Sequence, residues 1–158
     1  QQEMERLADA GVDLFDTQYV RTNPSQLPEK YDTRYVDRFE PRLQPLFDQC
    51  VQQNDAFMVA SLFDLNGYCP AHISSVSKPI TGDFATDNAL SRHRRIYAGT
   101  RAEKRRANHE QPFLLQTFIR DTGEILNSLS VPVFVHGRRW GCFCVAFTPE
   151  HLMKATRD

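Results

Sequence analysis

The stretch from Pro112 to Phe147 leaves this chain few options, because it reads as three antiparallel strands joined by two tight turns. Pro112 to Arg120 is dense in aromatic and β-branched residues, which pack well on a pleated surface. Asp121-Thr-Gly-Glu124 supplies turn chemistry, and Ile125 to Val135 returns as a second strand. His136-Gly-Arg138 makes the next turn, with Gly137 free to take positive φ, and Trp140 to Phe147 forms the third strand. A meander of this size needs cover on one face, and the space between cover and sheet is the natural place for a binding site.

The rest of the chain has to supply that cover. Gln1 to about Asp16 has a helical pattern with Met4, Leu7, Val12, Leu14 and Phe15 apolar. Its apolar stripe has no obvious partner in the chain and is a candidate dimer element. Thr22 to Pro28 holds two prolines and breaks regular structure, so residues 1–30 read as a helix and a connector, and residues 31–158 as the main domain. From Tyr31, the apolar positions Tyr35, Val36, Phe39, Leu43, Phe47 and Val51 recur at helical steps, with Pro41 and Pro45 expected to kink or divide the helix. Ala56 to Phe63 reads as a strand, Asp64-Leu-Asn-Gly67 as a turn, and Tyr68 to His72 as a second strand. Residues 74–87 read as loop, and a helix is expected to begin near Asn88 or Ser91 and run towards Arg106, with Gly99 interrupting it. Thr148-Pro-Glu150 opens a short closing helix.

Two strands, a helical crossover and a three-strand meander make an α+β order. That element order resembles the PAS and Cache folds, and the likeness implies a five-stranded antiparallel sheet arranged 2-1-5-4-3, with helices on one face, preceded here by a long N-terminal helical segment. No parallel βαβ rhythm is present. The formal net charge of −1 hides an asymmetry, with 12 acidic and 6 basic residues in 1–64 against 8 and 13 in 65–158. Four cysteines are too few and too irregular for a disulfide framework, so reduced thiols in a cytoplasmic setting are expected. No apolar run approaches the ~18–20 residues that span a bilayer. Contact with a membrane is not expected of this segment.

Several stretches together resemble one family. They are Leu14-Phe-Asp-Thr-Gln-Tyr19, Thr22-Asn-Pro24, Phe63-Asp-Leu-Asn-Gly-Tyr-Cys-Pro-Ala-His72, Arg94-Arg-Ile-Tyr97, Pro112-Phe-Leu-Leu-Gln-Thr-Phe-Ile-Arg-Asp121, Leu129-Ser-Val-Pro-Val133 and Gly137-Arg-Arg-Trp-Gly141. In this order they look like the cytoplasmic PAS- or Cache-like sensory domain of a group of bacterial methyl-accepting chemotaxis receptors. Ile73, Arg139, Cys142 and Cys144 depart from the family's usual residues. The resemblance implies a small-molecule ligand, a homodimer and a chemotaxis signalling domain in the same receptor.

The candidate ligand contacts are Tyr68, His72, Arg92, Arg95, Tyr97 and Gln116. Tyr68 and His72 fall on one side of the second strand, whereas Asp64, Asn66 and Gly67 are ordinary turn formers. Arg92 to Arg106 holds seven cations in fifteen residues. Without aromatic interleaving or a recognition motif the run does not point to nucleic acid; it reads as a solvated face paired with the acidic first third. One or two of its members, Arg92 and Arg95 foremost, are expected to turn inward, because a guanidinium fork matches a carboxylate. Gln116, Phe118 and Arg120 alternate with Leu115, Thr117 and Ile119, and the run leaves open which set faces in. Trp140 reads as a core or interface residue. Cys69, His72, Cys142 and Cys144 are placed too far apart by the expected strand order to hold zinc. His72, His93 and His109 keep a haem or redox sensor as an alternative, and a ligand-free interaction module is another. No nucleophile with its base, paired carboxylates or phosphate loop marks an enzyme.

Overall fold

The computed structural model describes residues 1–120 and 122–155. Its centre is a four-stranded antiparallel sheet built from β3 (Val59–Asp64), β6 (Leu114–Ile119), β7 (Ile125–Val135) and β8 (Arg138–Phe147), in the order β3-β8-β7-β6. The meander is formed as its residues dictate. His136 and Gly137 both take positive φ, 48° and 78°, the mirror-image turn whose twist suits a two-residue hairpin. At the other hairpin Gly123 has φ 90°, and the Arg120 amide donates to the Glu124 carbonyl at 2.8 Å. Asp121 of that expected turn lies outside the described residues.

The five-stranded arrangement is not what forms. The second strand, β4 (Tyr68–Cys69), does not extend the sheet; it pairs with β5 (Arg95–Ile96), a strand inside the run expected to be helical. A single bridge between Ser61 and His72 joins that ribbon to β3. A third pair, β1 (Val20–Arg21) with β2 (Tyr31–Asp32), closes the connector. The physical reason is local. The Arg94 amide donates to the Cys69 carbonyl at 2.6 Å, and Arg94 takes φ 55°, which a helix forbids. Its guanidinium meets Asp32 at 2.9 Å, Asp37 at 3.0 Å and Glu40 at 2.7 Å. The acidic first third thus holds the segment extended.

The N-terminal helix is also short. α1 (Gln2–Asp9) stops where Gly11 takes φ 78°, the Gly11 amide reaching Ala8 and the Val12 amide reaching Leu7. That pair of bonds is a Schellman stop. Met4 and Leu7 are buried within this chain's own core, so the stripe expected to pair with a second copy is already covered. Residues 1–30 therefore share the core of the rest.

α2 (Val36–Gln52) runs through both prolines as one helix. Each proline costs roughly 3 kcal/mol in a helix interior. Pro41 and Pro45 are exposed, so the carbonyls they leave unbonded face water. Val36, Phe39, Leu43 and Phe47 are buried on the opposite side, at about 1.5–3 kcal/mol each, which outweighs the loss.

Helices cover both faces of the sheet, not one. Leu62 opposes Phe143 and Phe63 opposes Cys142, so the two pairs point to opposite faces. Phe47 of α2 packs on Phe143, ring centroids 6.1 Å apart. On the other face α4 (Arg101–Asn108) sets Arg106 over Phe63. Trp140 is the extra residue of a bulge, where Val133 pairs with Gly141 and Phe134 with Arg139. The bulge turns Trp140 into the α2 core, stacked on Phe39 at 5.7 Å, with its indole N–H donated to the Leu14 carbonyl at 2.8 Å.

Candidate functional site

The face opposite α2 is roofed by residues 70–108. A 3-10 turn at Ser74–Val76 leads to α3 (Phe84–Leu90), capped by the Asp83 carboxylate accepting from the Thr86 amide. The buried Asp87 carboxylate accepts from the Thr81 amide and hydroxyl and from the Gly82 amide, fixing the loop that precedes α3. Thr100 and Glu103 form a reciprocal capping box that starts α4. From below, the connector ties in through Lys30, whose ammonium donates to the Ser91 and His93 carbonyls. Burial, with the Arg95 charge added, lowers the Lys30 pKa to about 7.

Between roof and sheet lies a cavity of about 200 Å³. Val59, Ser61 and Phe63 of β3, Cys144 and Ala146 of β8, Leu126 of β7 and Phe118 of β6 form its floor. The roof adds His72, Arg92, Tyr97, Thr100, Glu103 and Arg106, while Ile119 and Arg120 stand at the end of β6. Its charged groups are three arginines and one glutamate, which makes the interior cationic. Arg120 is paired with Glu124 at 2.6 Å, Arg92 donates to the Asn88 carbonyl at 2.9 Å, and Glu103 accepts the Thr100 amide at 2.9 Å.

Arg106 differs from its neighbours. It is 8% exposed, its guanidinium carbon sits 3.8 Å from the Phe63 ring centroid, and its Nε and Nη2 are buried with no hydrogen-bond partner among the described residues. A desolvated cation over an aromatic ring gains about 2 kcal/mol. Each unsatisfied buried donor costs about 1–3 kcal/mol, and more when charged. The ring therefore does not compensate for two missing acceptors.

His72 is buried, and its Nδ1 accepts from the Ile73 amide at 2.9 Å. Burial, with the Arg92 charge next, holds its pKa well below the usual imidazole value. The ring is neutral, with its proton on Nε2. Burial pushes the Cys69 thiol up to about 12 and raises Cys142 and Cys144 as well, so these sulfurs remain thiols at neutral pH. Among the described residues no group of three or more His, Cys, Asp and Glu side chains could hold a metal ion.

Of the residues singled out from sequence, His72, Arg92 and Tyr97 come together on the cavity wall. Tyr68 does not: it is fully buried, tilted against Tyr19 at 5.1 Å, and its hydroxyl donates to the Tyr31 carbonyl at 2.8 Å. Arg95 is not on the cavity wall: its guanidinium carbon lies 5.0 Å from the Tyr97 ring centroid, and it lines a separate groove with Pro28, Tyr31 and Asn88. Gln116 is half-buried on β6, two residues short of Phe118 and off the wall. The inward set of β6 is thus Leu114, Gln116 and Phe118. Asp64 and Asn66 build the turn, Asp64 Oδ1 accepting from the Asn66 and Tyr68 amides at 2.9 Å. Arg106, Phe63 and Phe118 were not singled out. The signal for Arg106 was Thr100-x-x-Glu103, which fixes where α4 begins and so which cations can turn inward.

No protein-family model matches this chain, and no curated protein matches it.

Proposed function

We propose that this chain is a ligand-binding sensory module that holds a small organic anion between the sheet and the roof and passes its occupancy on through the flanking helices. The observation that carries this reading is the cavity itself: about 200 Å³, apolar on the sheet side, cationic on the roof side, and lined by His72, Arg92 and Tyr97. The resemblance to the cytoplasmic sensory domain of bacterial chemotaxis receptors supports it. In that setting the module lies in the cytoplasm, works as a homodimer beside the receptor's signalling domain, and binds its ligand without chemical turnover. Among the described residues no helix is long and apolar enough to cross a membrane, which accords with that placement.

Haem sensing fits the geometry less well. A haem is larger than the cavity, and one ring nitrogen of each candidate histidine is already engaged. His72 Nδ1 holds the Ile73 amide, His93 Nδ1 lies 3.4 Å from the Lys30 ammonium, and His109 Nε2 lies 3.1 Å from the Ser130 hydroxyl.

The test is a metabolite screen read by thermal shift, run on the wild type and on Ala146→Phe, which fills the cavity from the sheet side. Compounds that raise the wild-type midpoint should leave the filled variant unmoved. A screen in which nothing shifts the wild type, or in which the filled variant responds equally, overturns the reading.

A further inference from the structure

The two unpartnered donors of Arg106 say which end of a ligand goes where. Arg106 is more than nine-tenths buried and lines the cavity, and the two donors left without a partner among the described residues are Nε and Nη2, the edge of the fork that receives both oxygens of one carboxylate. The other wall arginines are already engaged, Arg92 on the Asn88 carbonyl and Arg120 on Glu124. The floor offers Phe63 directly beneath the guanidinium, then Phe118, Leu126 and Cys144, and carries no cation of its own to meet a second acid group. At about 30 Å³ for each water-sized group, 200 Å³ admits roughly seven of them. We propose that the cavity is a monocarboxylate site, in which Arg106 Nε and Nη2 bind the carboxylate and a short apolar body rests on Phe63, Phe118 and Leu126.

This rests on the sensory reading above and narrows it to one chemical class and one anchoring residue. Arg106 is also an unusual anchor, because the Phe63 ring lies 3.8 Å beneath its guanidinium carbon and holds it in place before any ligand arrives. A lysine at this position would place one point charge where the site presents a planar pair of donors.

The experiment uses the whole chain and calorimetric titration with sodium monocarboxylates of two to eight carbons, straight, branched and aromatic. The corresponding neutral amides and the dianion succinate are run in parallel. At least one monocarboxylate should bind the wild type, with its amide and succinate at least tenfold weaker. Arg106→Met should bind that acid at least tenfold more weakly while melting, unliganded, at or above the wild-type temperature, since it removes a buried cation that has no acceptor. Arg106→Lys should fall between the two. Circular dichroism of each variant separates lost binding from lost fold.

An amide that binds as tightly as its acid, or an Arg106→Met variant that folds and binds the acid as the wild type does, overturns the carboxylate assignment and leaves a sensory pocket for another ligand class. Failure of every monocarboxylate, in a protein whose midpoint another metabolite class does raise, has the same meaning. Failure of acids, amides and the metabolite screen alike overturns the assignment and the sensory reading together.

Discussion

Two buried nitrogen bases face the same cavity and are treated in opposite ways. His72 is kept neutral, its ring satisfied by the Ile73 amide, whereas Arg106 keeps its charge and lacks acceptors. For His72 the sign of the pH effect follows from its lowered pKa. The unfolded chain takes up a proton near pH ~6.5, before the folded protein does, so stability is present above that value and is lost as pH falls below it. The slope reaches about 1.4 kcal/mol per pH unit for one such group. His93, lowered to about 3 by burial and by the Lys30 charge, acts in the same direction. His72→Asn keeps an acceptor for the Ile73 amide and removes one titration. Its urea midpoint should fall less steeply from pH 7 to pH 5 than that of the wild type, leaving the shares of His93 and His109, whose pKa burial also lowers; equal slopes would show that His72 does not carry this linkage. At this scale legibility was uneven. A histidine two residues past Pro70 drew notice as a polar tip on a strand, but Arg106 sat in a run of cations that looks solvated, and α4 does expose Arg101, Lys104 and Arg105.

At the scale of elements, the turn between β3 and β4 decides where Tyr97 goes. The Tyr97 amide donates to the Gly67 carbonyl at 2.8 Å, and a Cβ on Gly67 would lie 2.3 Å from the Tyr97 carbonyl oxygen. Gly67 also takes φ 83°. Gly67→Ala should therefore cost more than the roughly 1–2 kcal/mol of a left-handed backbone alone, and should weaken ligand binding by moving a wall residue. Gly123→Ala is the control: φ is 90° there with open space around it, so only the backbone cost should appear. Equal losses of stability in the two variants would mean that the close approach to Tyr97 is not a constraint. The meander was readable because strands of this kind advertise themselves through β-branched and aromatic runs and a Gly at the turn. α3 and β5 were not, since α3 is stabilised by the Asp83 cap and the Asp87 loop, and β5 by the distant carboxylates that hold Arg94. Those are contacts between residues far apart in sequence, and no window of local pattern contains them. The prolines of α2 misled for a similar reason: their cost is visible in the sequence, while the buried face that offsets it is known only after packing.

Across the whole molecule, the sheet divides two unlike interiors. One side is a filled core around Phe39, Leu62, Trp140 and Val145, closed by α1 and α2. The other is a small cluster of Phe63, Cys69, Tyr97, Cys142 and Cys144 beside open space. Segments with fewer buried apolar contacts open at lower free energy, so the roof should exchange its amide hydrogens faster than α2 does. Saturation with a bound ligand should slow exchange in residues 84–108 and leave α2 nearly unchanged. Uniform protection across both faces would show that occupancy is not registered by the roof.

The lone bridge between Ser61 and His72 gives that opening a place to occur. Had β4 been stitched along β3, admitting a solute there would have meant unzipping a row of amide contacts. As built, one backbone bridge joins the ribbon to that strand, and the rest of the roof hangs on separate side-chain ties, Lys30 on the Ser91 carbonyl, Gln44 on the His72 carbonyl and Arg139 on the His109 carbonyl, which can part singly while the barrier behind them stays shut.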